Sequence, residues 1–92
     1  MNHDERRSLI EKMPNSCLEK IHKLLANRFM AVSTQLGKTY KKPEEIRALL
    51  LTVNNADKML KKEWFDNPFA IQSVKNLLKD FDLITPKLGC AN

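Results

Sequence analysis

A chain of 92 residues has room for one domain, and a domain of that size buries only roughly 60–65% of the surface its unfolded form exposes. Hydrophobic residues make up 42% of it, yet no stretch approaches the roughly 20 apolar residues of a membrane-spanning helix, so membrane insertion is not expected. The net charge of +5, from 16 Lys and Arg against 11 Asp and Glu, is moderate; it permits nucleic acid, an anionic membrane face or an acidic protein as partner and selects none of them.

The opening residues Met1-Asn2-His3-Asp4-Glu5-Arg6-Arg7 lead into no long apolar run, so a secretory signal is not expected. Cys17 and Cys90 form no CxxC pair, and small disulfide-stapled domains usually carry more cysteines at closer spacing. Two free thiols in a reducing, cytoplasmic setting are therefore expected over a single bridge. Prolines 14, 43, 68 and 86 divide the chain into segments of helical length, and no alternating run of strand type appears.

A short first helix is expected over residues 4–13, with Leu9, Ile10 and Met13 on one side and Pro14 as its stop. Ser16-Cys17-Leu18-Glu19 has the S-x-x-E form of a capping box and predicts a second helix running to Leu36. Leu18, Ile21, Leu25, Phe29, Val32 and Leu36 recur at spacings of three and four, which puts them on one face. Gly37 ends it, and residues 37–42 form a basic loop. Pro43-Glu44-Glu45 opens the third helix, whose inner face is Ile46, Leu49, Leu50, Val53, Ala56, Leu60 and Trp64. Asp66-Asn67-Pro68 is a turn. The fourth helix carries Ala70, Val74, Leu77, Leu78 and Phe81 inward, and residues 83–92 read as a tail. The expected fold is all-α: a compact bundle of three main helices plus a short N-terminal one, completed within the chain or by dimerisation.

No catalytic constellation emerges, and an enzyme, a cofactor or a small-molecule substrate is not expected. Gly37-Lys38-Thr39 has the last letters of a P-loop, but Val32 stands where its first glycine belongs and a helix precedes it where a strand is required. Glu19 and His22 make a single Glu-x-x-His pair where di-metal bundles need two, so no metal site is assigned. Asp57 falls near the apolar side of the third helix, at a spacing that suits pairing with Lys61.

Two surfaces stand out. The outer sector of the third helix carries Arg47, Leu51, Asn55, Lys58 and Lys62 beside the Lys38, Tyr40, Lys41, Lys42 loop. A leucine among cations suits an acidic amphipathic partner. The outside of the fourth helix carries Phe69, Gln72, Lys75, Asn76 and Lys79, residue types that read phosphates and base edges, with Lys38 as a further cation. Asp80 and Asp82 on that helix oppose a phosphate backbone. Met30, Leu51, Phe69, Leu83 and Ile84 lie off the core stripes, so apolar area is expected to remain for self-association or a protein partner.

The leading expectation is a small non-enzymatic regulatory or adaptor protein that binds another protein through Tyr40, Lys41, Lys42, Arg47, Leu51, Lys58 and Lys62. The alternative is a nucleic-acid-binding regulator using Lys38, Gln72, Lys75, Asn76 and Lys79. A third, by analogy of architecture alone, is an immunity-type bundle that protects a producer from its own toxin.

Overall fold

The structure, a computed structural model, describes residues 1–59 and 68–89. Asn2 starts the first helix, α1 (His3–Lys12), with a reciprocal cap. Its Oδ1 accepts the Glu5 N–H at 2.8 Å, and Glu5 Oε1 accepts the Asn2 N–H at 3.4 Å. Extended backbone at Met13 and Pro14 then turns the chain into α2 (Asn15–Leu24). The expected Ser16 box is not used. Pro14 occupies the N-cap, and its carbonyl accepts the N–H groups of Cys17 and Leu18 at 3.0 and 3.1 Å. The first turn thus closes before the Ser16 side chain is called on.

The single helix expected over the next segment is two: α2 and α3 (Ala26–Leu36), bent at Leu25. Leu25 has φ −108° and ψ 27°, yet it donates to the Ile21 carbonyl and accepts from the Phe29 N–H, both at 2.9 Å. No glycine or proline marks the bend, so its cause is packing and not a helix breaker. A straight helix over both pieces would run roughly 30 Å, close to the 36 Å length of the whole molecule. Bending lets α2 lie against α4 (Pro43–Met59) and α5 (Pro68–Leu88) while α3 lies against α5. The stripe from Leu18 to Val32 stays buried throughout, with Leu36 packed at its edge.

Gly37 ends α3 in the left-handed conformation at φ 68°, where a side chain would be strained, and the Lys38 N–H returns to the Ser33 carbonyl at 3.2 Å. The expected tail is instead the last part of α5. Helix continues through Leu88; Thr85 is buried, and Ile84 and Leu88 pack on the core. Pro86 lies within the final turn of α5 and forgoes the N–H that would return to the Asp82 carbonyl. The Thr85 hydroxyl donates to the Phe81 carbonyl beside it.

The fold is therefore all-α, with five helices and no strand among the described residues. It differs from three main helices plus a short one because the second expected helix is divided and α1 is as long as α2. Ile10, Leu18, Ile21, Phe29, Ile46, Leu50, Val53, Leu77 and Phe81 form the middle of one core shared by all five helices. Leu60, Trp64 and the Asp66-Asn67 turn lie outside the described residues. No described helix is long and apolar enough to cross a membrane.

Two features depart from the sequence reading more sharply. Cys17, fully buried, is disulfide-bonded, and no described cysteine is free. The expectation of free thiols fails at this position; Cys90 lies outside the described residues. The second feature is a buried arginine. Arg6 Nε and Nη2 donate to the two carboxylate oxygens of Asp82 at 2.9 and 2.7 Å, and Nη1 donates to Asn54 Oδ1 at 2.7 Å. Asn54, fully buried, passes its own amide N–H to the His3 carbonyl at 3.1 Å. One guanidinium thereby pins α1 to both α4 and α5, in the bidentate geometry that arginine offers a carboxylate.

Candidate functional site

The return of the loop after Gly37 leaves an open groove of about 440 Å³ along α3. Its wall on α3 is Ala26, Met30 and Ser33, one helical turn apart, above a floor made by the ring of Phe29. His22 at the end of α2 meets that ring edge-on, with centroids 5.1 Å apart and planes at 66°. The opposite wall is the loop, through Lys38, Thr39, Tyr40 and Lys41. The Lys38 ammonium stands 5.3 Å from the centre of the Tyr40 ring, so cation and aromatic hold one another at the rim. Phe29 is 2% exposed, whereas Met30 beside it is 65% exposed. A large, adaptable side chain is thus left in water at the groove's lip.

The loop's shape has a local electrostatic origin. Glu45, in the first turn of α4, turns its carboxylate back onto the chain, accepting the Lys42 N–H at 3.1 Å and the Lys41 N–H at 3.4 Å. These two bonds, the Lys42 one foremost, hold its carboxyl below the usual glutamate range, with Lys38 and Lys42 adding to the effect. A folded-state value below the unfolded one favours the held loop above the unfolded pKa, and that contribution fades as pH falls through the folded pKa. The Lys41 and Lys42 amide resonances are accordingly expected to move on acidification with a midpoint below the ordinary glutamate value. A midpoint at or above that value would show that the carboxylate does not hold the loop.

The residues expected to bind a partner are divided by the fold. Tyr40 and Lys41 line the groove with Lys38, while Lys42 stands next to them and gives its backbone N–H to Glu45. Arg47 is turned elsewhere. Its guanidinium donates to the Ile10 and Glu11 carbonyls at 2.7 and 3.1 Å and to Asn15 Oδ1 at 3.3 Å, closing the C-terminal end of α1. Leu51 packs against the core edge, and Asn55 Oδ1 lies 3.4 Å from His3 Nε2. The outer sector of α4 is in this way the seat of α1. The side chain of Lys58 and the whole of Lys62 lie outside the described residues, as do the side chain of Asp57 and its expected partner Lys61.

The alternative set is not gathered in one place either. Gln72, Lys75, Asn76 and Lys79 share α5, where Gln72, Lys75 and Lys79 are exposed and the Gln72 amide donates to Asn76 Oδ1 at 2.9 Å. Lys38 belongs to the groove. Asp80 is taken up by Arg28 of α3, at 2.7 Å, and Asp82 by Arg6. Among the described residues no three potential metal ligands cluster; His22, the candidate of the Glu-x-x-His pair, serves as an aromatic neighbour.

Sequence reasoning named both lysines of the groove, its tyrosine and the off-stripe Met30. It did not join them to His22, Ala26 and Phe29, because that union depends on the loop after Gly37 returning along α3. Comparison with known proteins finds no match: no family model fits the chain, and no curated protein or solved structure is similar to it.

Proposed function

We propose that this chain is a small non-enzymatic binding protein that holds a protein partner in the groove between α3 and the 37–42 loop. The observation that carries this reading is an apolar trough, Phe29 and Ala26 with Met30 exposed at its lip, bordered by Lys38, Tyr40 and Lys41. An open apolar trough with a charged rim is the arrangement by which helix-in-groove recognition works, the apolar part supplying affinity and the charges register. A second reading, nucleic-acid binding by the outer face of α5, has one observation in its favour. Asp80 and Asp82, which would repel phosphate there, are both neutralised by arginines.

Affinity purification of the native chain beside a Met30→Glu variant tests the proposal. Met30 is exposed, so the substitution should leave the helical signal unchanged and carry a charge into the trough. The expected result is a protein retained by the native chain and depleted about tenfold or more with the variant, the loss that follows removal of one apolar anchor. A partner retained equally by both chains would overturn the groove reading. Nucleic acid retained by both, and released by raised salt, would overturn it in favour of α5.

A further inference from the structure

Resting on that reading, we infer that the groove's occupant is a helical segment of a protein partner that presents one large apolar side chain flanked by carboxylates. The shape argues for a helix. Ala26, Met30, Ser33 and Gly37 follow one another at spacings of three and four along a single side of α3 and its cap. That gives a straight strip of roughly 16 Å, about three helical turns. Three of those four residues are small, and small residues let a second helix axis come within roughly 8 Å. Met30 is the exception, and its unbranched side chain adapts to whatever lies against it.

The charge argues for the flanks. Two lysines line the groove, and no carboxylate does. The acidic group closest in sequence to the loop, Glu45, is folded back onto the Lys41 and Lys42 N–H groups. An incoming acidic residue therefore meets positive potential at the rim, which Glu45 offsets only in part, whereas a basic one meets repulsion; this is how rim charges select among partners of equal apolar content. The apolar floor argues against a nucleic acid. Phe29 is buried beneath the groove, leaving Tyr40 as the one ring on the loop wall, whereas single-stranded nucleic acid needs successive stacking platforms.

The test is a titration followed by amide resonances, using three probes on the full chain. The first is a helix-stabilised synthetic peptide with one tryptophan flanked by glutamates. The second is the same peptide with each glutamate replaced by lysine, and the third is an oligothymidylate. The glutamate peptide is expected to shift Ala26, Met30, Ser33, Tyr40 and Lys41 and to bind about tenfold more tightly than the lysine peptide. That advantage should disappear in a Lys38→Glu, Lys41→Glu variant, both sites being exposed and remote from the core. If the two peptides bind equally at these residues, the acidic occupant is refuted while the groove remains a binding site. If the oligothymidylate displaces the glutamate peptide from them, the occupant is not a protein helix. Shifts confined to other faces would overturn both this inference and the groove reading beneath it.

Discussion

An Asp82→Ala variant is expected to lose about 3 kcal/mol of stability, as measured by urea unfolding. Arg6 is the reason. Its side chain is 9% exposed, and both carboxylate oxygens of Asp82 accept from its Nε and Nη2, Nη2 donating also to the Met1 carbonyl at 3.1 Å. Removing the carboxylate leaves a guanidinium held among apolar helices with its charge uncompensated, and that residual charge makes breaking a buried pair costlier than never having built it. The figure sits at the low end of the usual roughly 3–5 kcal/mol because the Asp82 side chain keeps 25% of its exposure, so some water reaches the gap. For a domain whose whole stability is about 5–10 kcal/mol, the loss should appear as a fall of roughly 15 °C in Tm. Asp82→Asn retains one acceptor and should cost less. Arg6→Met should also cost less than Asp82→Ala, since a bared Asp82 turns to solvent more readily than a bared Arg6. If Asp82→Ala stays within about 0.5 kcal/mol of the parent, as surface substitutions do, the clamp is not holding α1 to α5.

Reduction of the disulfide at Cys17 is expected to have the second large effect. Cys17 is fully buried in the first turn of α2, where that helix meets the core. Removing a native disulfide from a small domain costs about 2–5 kcal/mol, largely by freeing the unfolded chain. A 92-residue domain with a modest core has little margin to absorb that. Thermal unfolding with and without a phosphine reductant should show a clear drop in midpoint. Cys17→Ala should start at the lower midpoint and be insensitive to the reductant. Alanine is preferred to serine here because a hydroxyl placed in a fully buried site adds a desolvation cost of its own. Equal midpoints for the oxidised and reduced protein would show that the bond adds nothing to the fold. The disulfide also removes the support that free thiols lent to a cytoplasmic location, since such bonds persist in oxidising compartments.

The two variants probe parts of the molecule that were unequally visible in the sequence. The apolar stripes were plain: spacings of three and four through Leu18, Ile21, Leu25, Phe29 and Val32, and again through Ile46, Leu49, Leu50 and Val53, describe faces that are buried. Periodicity records burial because a helix repeats its faces every 3.6 residues whatever it packs against. Arg6 carries no such signal. An arginine four residues into a polar segment looks like any solvated cation, and Asp82 lies 76 positions away in sequence. Arg47 misleads for the same reason. On the helical wheel it belongs to the outer sector, and only the arrival of α1 on that sector makes it a cap for another helix.

The candidate groove shows the same division within one site. Lys38, Tyr40 and Lys41 follow Gly37 as a basic loop that the sequence displays openly, and Met30 stands visibly off its stripe. Their meeting with His22, Ala26 and Phe29 does not follow from local pattern. It needs the loop after Gly37 to return along α3, which no local spacing specifies. α2 lies against α4 and α5 and α3 against α5, and that seating is a property of the assembled bundle.

What the sequence determined by itself was the helical class, the faces that become core, the stop at Pro14, the left-handed cap at Gly37 and the start at Pro43. Each is a local consequence of backbone chemistry or of side-chain spacing. What the tertiary structure decided was the division of one long helix into α2 and α3, the extension of α5 through Pro86, the state of Cys17, and the burial of Arg6 between Asp82 and Asn54. Each of these depends on groups brought together from distant parts of the chain, and burial changes the value of a charge or a bend in ways no local window records.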